Sequence, residues 1–146
     1  MNLQAFMPYR LAVVSEAVSR SLAAVYAERF NLTRDEWRIL AALAARDDIT
    51  GTELGALTTL DKMQVSRALT RMERDGLIER TPDEADRRNL IVRLKPAGRA
   101  LYRKIVPMAQ AREAYLLESL DDGERAALGS ALDKLLERAR RLQEHG

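Results

Sequence analysis

The stretch from Thr50 to Leu94 constrains the fold more than any other, because it admits little besides one ordered string of short elements. Thr50-Gly51-Thr52-Glu53 is an N-terminal capping pattern, in which a hydroxyl accepts from an exposed amide and a glutamate three residues on can answer it. It opens a short helix carrying Leu54 and Leu57, which Thr58-Thr59-Leu60 turns aside. Asp61 followed by Gln64 then caps a second helix that runs to about Asp75. Gly76 supplies a stop without a Cβ penalty. Leu77-Ile78-Glu79-Arg80 and Leu90-Ile91-Val92-Arg93-Leu94 have strand composition, and Thr81 to Asn89 between them is rich in turn formers and charge. Two capped helices joined by a tight turn and followed by a hairpin predict a winged helix-turn-helix over residues 33–95.

Helix surrounds this unit. Pro8 suits a first helical turn, and Leu11, Val14, Val18, Leu22 and Val25 form one stripe of a helix ending near Phe30 and Asn31. Thr33-Arg34-Asp35-Glu36 caps the next helix, whose buried stripe is Trp37, Leu40, Leu43 and Ala44. Trp37 reads as core, with a stacking platform for a ring-shaped ligand as the other option. Arg46-Asp47-Asp48-Ile49 reads as a short polar connection. Beyond Pro96 and Gly98 the chain is helical again, with Leu101, Ile105, Met108 and Leu116 or Leu117 as a stripe and Pro107 predicting a bend. Asp121-Asp122-Gly123-Glu124 opens a last helix bearing Leu128, Ala131, Leu132, Leu135, Ala139 and Leu142. Apolar stripes at both ends of a small chain lack a surface of their own to bury against. Pairing of two copies through helices 8–30 and 99–143 would cover them, making a homodimer. The expected fold class is therefore mainly α with a small β-hairpin wing, in a single domain over 1–146.

Composition excludes more than it proposes. The chain has 146 residues and no cysteine, so disulfides, thiolate metal sites and thiol redox sensing are absent. Its one histidine, His145, sits in the C-terminal tail, which argues against a histidine-centred metal or catalytic site. There is no glycine-rich phosphate loop, no zinc spacing and no nucleophile paired with a base, so neither an enzyme nor a cofactor is expected. The carboxylates from Asp83 to Asp86 lie in a predicted loop without a partner base. No stretch reaches the roughly 18 uninterrupted apolar residues of a membrane span, and the expected location is cytoplasmic. With 24 Lys and Arg against 22 Asp and Glu, net charge decides nothing, and the placement of arginines has to.

That placement points to nucleic acid. In the second helix of the pair Val65, Ala68, Leu69 and Met72 share one face, while Met63, Arg67, Thr70 and Arg74 lie opposite, flanked by Lys62, Gln64, Ser66 and Arg71. A solvated helix face has a similar outline. An ordinary one mixes Glu with Lys, whereas this one carries arginines, short hydroxyls and an amide. Arginine and glutamine can meet base edges with two hydrogen bonds, and serine and threonine can hold phosphates. Arg87 and Arg88 sit at or just after the hairpin tip, where a long cation can enter the minor groove. A loop salt-bridged through Asp83, Glu84 and Asp86 is the alternative, and the two are compatible. A dimer presenting two such units would read a pseudo-palindromic double-stranded operator.

The run Leu32-Thr33 to Glu36-Trp37, the segment Glu53-Leu54 to Asp61-Lys62, Val65-Ser66-Arg67, Asp75-Gly76-Leu77-Ile78-Glu79-Arg80, and Asp86-Arg87-Arg88 followed by Leu94 and Gly98 together resemble the MarR family of bacterial transcriptional regulators. The resemblance implies a triangular homodimer, with the Asp61 to Asp75 helix in the major groove and Asp86 and Arg88 organising and contacting DNA from the wing. It implies a repressor of nearby genes, released by a small aromatic acid or a CoA thioester; an activator of the same fold, or a winged helix used for protein contacts, are the alternatives. Its effector cleft would lie among the first helix, the Trp37 helix and the helix after Gly98, with Tyr9, Arg10, Ser15, Arg20, Tyr26, Trp37 and Arg38 as candidates. The Pro8-Tyr9-Arg10 start followed by Trp37-Arg38 resembles the branch answering to hydroxycinnamate-type acids or their CoA thioesters. Two departures stand out. Met63 and Gln64 occupy positions where the family usually has small hydroxyl residues, and Lys95 replaces the usual threonine cap.

Overall fold

Most of the longer helices begin where a side chain satisfies an amide of the first turn. The computed structural model describes all 146 residues, Met1–Gly146. Its elements are α1 (Met7–Phe30), α2 (Arg34–Ala45), β1 (Ile49–Thr50), α3 (Gly51–Thr58), α4 (Lys62–Arg74), β2 (Ile78–Pro82), β3 (Leu90–Leu94), α5 (Pro96–Leu117) and α6 (Asp122–His145). Reciprocal capping boxes start α2 at Thr33 and Glu36, α4 at Asp61 and Gln64, and α6 at Asp121 and Glu124. Each such cap stabilises its helix by about 1 kcal/mol. At α3 the box is half formed. Thr50 accepts from the Glu53 amide, but the Glu53 carboxylate turns away to Arg46 at 2.8 Å.

Ile49 corrects the sequence expectation of a polar connection. It is fully buried and begins β1, whose Ile49 pairs with Val92 and Thr50 with Ile91. A two-residue strand has no periodicity to detect. The antiparallel sheet runs β1-β3-β2, with Ile78 opposite Leu94 and Pro82 opposite Leu90. The helical limits also extend past the expected ones, to Pro96 and His145. Lys95 supplies the carbonyl that receives the Arg99 amide, so α5 begins without a hydroxyl cap. The helix continues through Pro107.

The chain forms two compact units, Met1–Ala109 and Gln110–Gly146, dividing within α5, where no linker in the sequence announces it. In the first, Ile39, Leu40 and Leu43 of α2, Leu54 of α3, Met72 of α4, Ile49, Ile78 and Val92 of the sheet and Ile105 of α5 form the core. Burying each such side chain contributes on the order of 2 kcal/mol. The stripe expected on α1 is divided. Val25 is buried and Leu22 packs beside it, while Leu11 and Val14 are exposed. In the second unit the Arg125 guanidinium donates to the Leu117 carbonyl at 2.9 Å across the turn into α6. Leu128, Leu132, Leu135, Leu136 and Leu142 of α6 are all exposed. No helix is long and apolar enough to cross a membrane.

Candidate nucleic-acid interface

Burial orients α4 unambiguously. Val65, Ala68, Leu69 and Met72 are inside, and Lys62, Met63, Ser66, Arg67, Thr70 and Arg74 are exposed. Arg67 carries no hydrogen bond or ion pair, and its guanidinium is available to a ligand. Arg74 touches only its neighbour Asp75, at 3.5 Å. The single acidic residue of α4, Glu73, is engaged by Arg80 of β2 through two bonds of 3.1 and 3.0 Å. That pair holds the Glu73 carboxyl below its ordinary range and raises Arg80. The exposed face of α4 thus carries cations without a competing carboxylate.

Two residues of the expected face have other partners. Gln64 Oε1 accepts from the Asp61 amide at 2.9 Å, so the side-chain carbonyl serves the capping box and only the amide nitrogen can donate outward. Arg71, a third exposed on the flank of α4, turns toward the end of α1 and the start of α2. Its Nη2 donates to the Asn31 carbonyl at 3.0 Å and its Nη1 lies 3.2 Å from Oε1 of Glu36, a carboxylate that is 1% exposed.

The hairpin tip is a closed loop. Asp83 N–H donates to the Asn89 carbonyl and Asn89 N–H to the Asp86 carbonyl, each at 3.0 Å. Asp86 receives Arg88 Nε at 3.0 Å, Nη2 at 3.1 Å and the Arg88 amide at 3.2 Å. These bonds, the side-chain ones above all, hold the Asp86 carboxyl below the ordinary aspartate value of 3.8. Arg88 is nonetheless 90% exposed, and about three of its five N–H donors stay free. Arg87 is exposed and without an ion pair. The two expectations for this loop therefore divide between the arginines. Lys62 and Ser66 of α4 and Arg88 of the hairpin line one open cleft of about 720 Å³, whose apolar floor includes Leu60, Val65 and Val92.

The root of the hairpin is fixed from several sides. Arg93 of β3 is hydrogen bonded to Asp48, which lowers the Asp48 carboxyl. Lys95 N–H donates to the Leu77 carbonyl at 2.9 Å, and Gly98 packs so closely on that carbonyl that a Cβ would overlap it. The sequence carried no signal for any of these ties beyond the glycine itself.

The candidate effector residues do not form one pocket within the protomer. Tyr26 is buried and Trp37 half-buried, stacked at 6.0 Å and 12°, and Trp37 stacks in turn on Tyr102 of α5 at 6.2 Å and 22°. The three rings stack in a row from α1 through α2 to α5, and Tyr102 is a member that sequence reasoning missed. Tyr9, Arg10, Ser15 and Arg20 are exposed on α1, with Arg20 paired to Glu16 at 2.5 Å. Tyr9 lies some 26 Å along the helix axis from Tyr26 at ~1.5 Å per residue. Trp37 and Arg38 instead border a second cleft of about 690 Å³, floored by Ala41, Ala42 and Leu57 and closed by Thr58 and Thr59 at the turn between α3 and α4.

A family model described as MarR family matches residues 30–89. The homoprotocatechuate degradative operon repressor of Escherichia coli is 36% identical over 88 residues, which cover 60% of this chain and 58% of the repressor's length. The HTH-type transcriptional repressor NicR of Pseudomonas putida is 30% identical over 106 residues, covering 73% of this chain and 67% of that protein. Among solved structures, a MarR family transcriptional regulator from Silicibacter pomeroyi DSS-3 superimposes with a TM-score of 0.81 at 30% identity, covering 95% of this chain and 98% of that one.

Proposed function

The chain belongs to the MarR family, a family of winged helix-turn-helix regulators that bind DNA and are not enzymes, and on that premise we propose a homodimeric repressor released from its operator by a small aromatic acid or its CoA thioester. One observation carries the DNA side. Lys62 and Ser66 of α4 and Arg88 of the wing border a single cleft, beside an outer helix face free of competing carboxylates. In this arrangement Arg67, with Met63, Ser66 and Thr70, faces the base edges of the major groove. Arg88, oriented by Asp86, reaches a minor groove or phosphate, while Lys62, Arg74 and Arg87 hold the backbone. The exposed leucines of α6 and the exposed first turns of α1 favour a second copy as their cover.

The effector site is the cleft beside Trp37. Its volume lies in the range of small-molecule sites, its floor is apolar, and Arg38 supplies a cation for a carboxylate. Arg46 is less available because Glu53 holds it at 2.8 Å. A ligand here presses on Thr58 and Thr59, the latter in a left-handed conformation with φ 56°, immediately before the cap that starts α4. Differential binding to a form with a displaced turn would lower operator affinity. Tyr9 and Arg10 join this chemistry only if the partner protomer brings them. The Escherichia coli relative is, by its name, a repressor of an operon degrading homoprotocatechuate, an aromatic acid, which supports both the sign of regulation and the ligand class.

A gel shift of the purified chain on its own upstream intergenic DNA, repeated with aromatic acids and with their CoA thioesters, tests this reading. Release by one compound, lost in Arg38→Ala while operator affinity stays, is the expected result. Release that persists in Arg38→Ala would place the effector elsewhere, and binding that no compound relieves would remove aromatic control.

A further inference from the structure

Arg71 lies on the recognition helix yet faces the body of the protein, and its partners define an unusual position. One guanidinium nitrogen sits at the C-cap of α1, donating to the carbonyl of Asn31, which is held at φ 55°. Another sits 3.2 Å from Glu36 at the start of α2. Glu36 is buried, and the oxygen facing Arg71 also accepts the Thr33 amide of the capping box. Its second oxygen is buried without a hydrogen-bond partner. A buried carboxylate with so few donors depends on the one cation beside it, and that cation is attached to α4. One side chain therefore ties the end of α1, the start of α2 and the recognition helix together.

We infer that Arg71 is a positioning residue: it makes no contact with DNA and fixes the angle of α4 to α1, and through α1 the distance between the two recognition helices of a dimer. The inference rests on the dimeric operator-binding reading above. Rigid struts of this kind matter for a two-fold reader because one base pair inserted between half-sites displaces one of them by about 3.4 Å and turns it by about 34°. A chain with α4 fixed against α1 cannot follow. One with α4 loosened can.

Arg71→Met alone leaves the buried Glu36 carboxylate without its cation and is expected to destabilise the winged helix itself. The informative variant is Glu36→Gln with Arg71→Met, which removes both charges, keeps the net charge and preserves a side chain able to complete the capping box. Its folding is checked by a thermal melt. Binding is then titrated on the selected operator and on operators with one base pair inserted or deleted at the centre, across a range of salt. The wild-type chain should lose on the order of tenfold on the altered operators, comparable with one mismatched base pair. The double variant should bind all three within about threefold of one another, with the wild-type salt slope and unchanged base preference inside each half-site. A salt slope lowered by about one would mean that Arg71 meets a phosphate, and overturns the assignment. So would an unchanged tenfold spacing penalty, or loss of all binding by a folded double variant. Absence of salt-dependent duplex binding by the wild-type chain would overturn the operator-binding reading along with this one, and is told apart from a spacing result on that ground.

Discussion

Substituting Gly98 by alanine tests how the wing root is locked to α5. The added Cβ would overlap the Leu77 carbonyl oxygen and lie 3.1 Å from Cδ2 of Leu94 and 3.2 Å from the Leu77 carbonyl carbon. The leucine methyl can rotate away. The carbonyl cannot, because it accepts the Lys95 amide at 2.9 Å, one residue before α5 begins. The first turn of α5 shifts outward, and the Lys95 amide that donates this hydrogen bond is carried away with it. Overpacking of this sort costs about 1–3 kcal/mol and the bond about 1 kcal/mol more, for a total of about 2–4 kcal/mol. For a chain of this size the melting temperature should fall by about 4–16 °C at fixed protein concentration. Circular dichroism melts of wild type and Gly98→Ala measure it directly. A fall of less than about 1 °C would show that the close approach is not a constraint, and would refute the picture of a wing clamped at its root.

Other outcomes follow from the same geometry. Because the folded Asp86 carboxyl is lowered by Arg88, the pair's contribution is complete above the ordinary aspartate value of 3.8 and is lost only as pH falls through the lowered folded value. Operator affinity at constant ionic strength should therefore show no step from this pair between about pH 5 and 8, and Asp86→Asn should weaken binding throughout that range. Met63, 62% exposed, can meet a thymine methyl in the major groove. Replacing thymines of the half-site one at a time by deoxyuridine should cost affinity at one position in wild type and nothing there in Met63→Ala. Leu135→Glu places a charge in the exposed stripe of α6 and should shift sedimentation toward monomer, with operator affinity falling in step; an unchanged dimer would move the interface elsewhere.

How much of this was legible depended on whether the signal was local. Three capping boxes were readable because both partners lie within four residues, and the inward face of α4 was readable because burial follows helical spacing. The fold class followed from these. What escaped was decided by contacts distant in sequence. Glu36 serves the capping box that its position announced, but nothing local tells that the fold also brings Arg71 within 3.2 Å of it, or that Arg80 closes on Glu73. Gln64 fitted two roles at once, and the capping box claimed its carbonyl. β1 was invisible because two residues carry no alternation. The effector candidates were drawn from the resemblance and from residue type, neither of which tells that Trp37 stacks between Tyr26 and Tyr102 or that Trp37 and Arg38 border a separate cleft.

The most direct test of operator reading by α4 is a fluorescence-anisotropy titration of wild type and Arg67→Ala on the upstream duplex and on a scrambled duplex at one fixed salt concentration. Arg67 is exposed and unpaired, so its removal should leave the fold intact, weaken specific binding by about 1–3 kcal/mol and narrow the ratio between the two duplexes. Equal affinities of the two proteins for the upstream duplex, with the ratio unchanged, would contradict the assignment of the outer face of α4 as the base-reading surface.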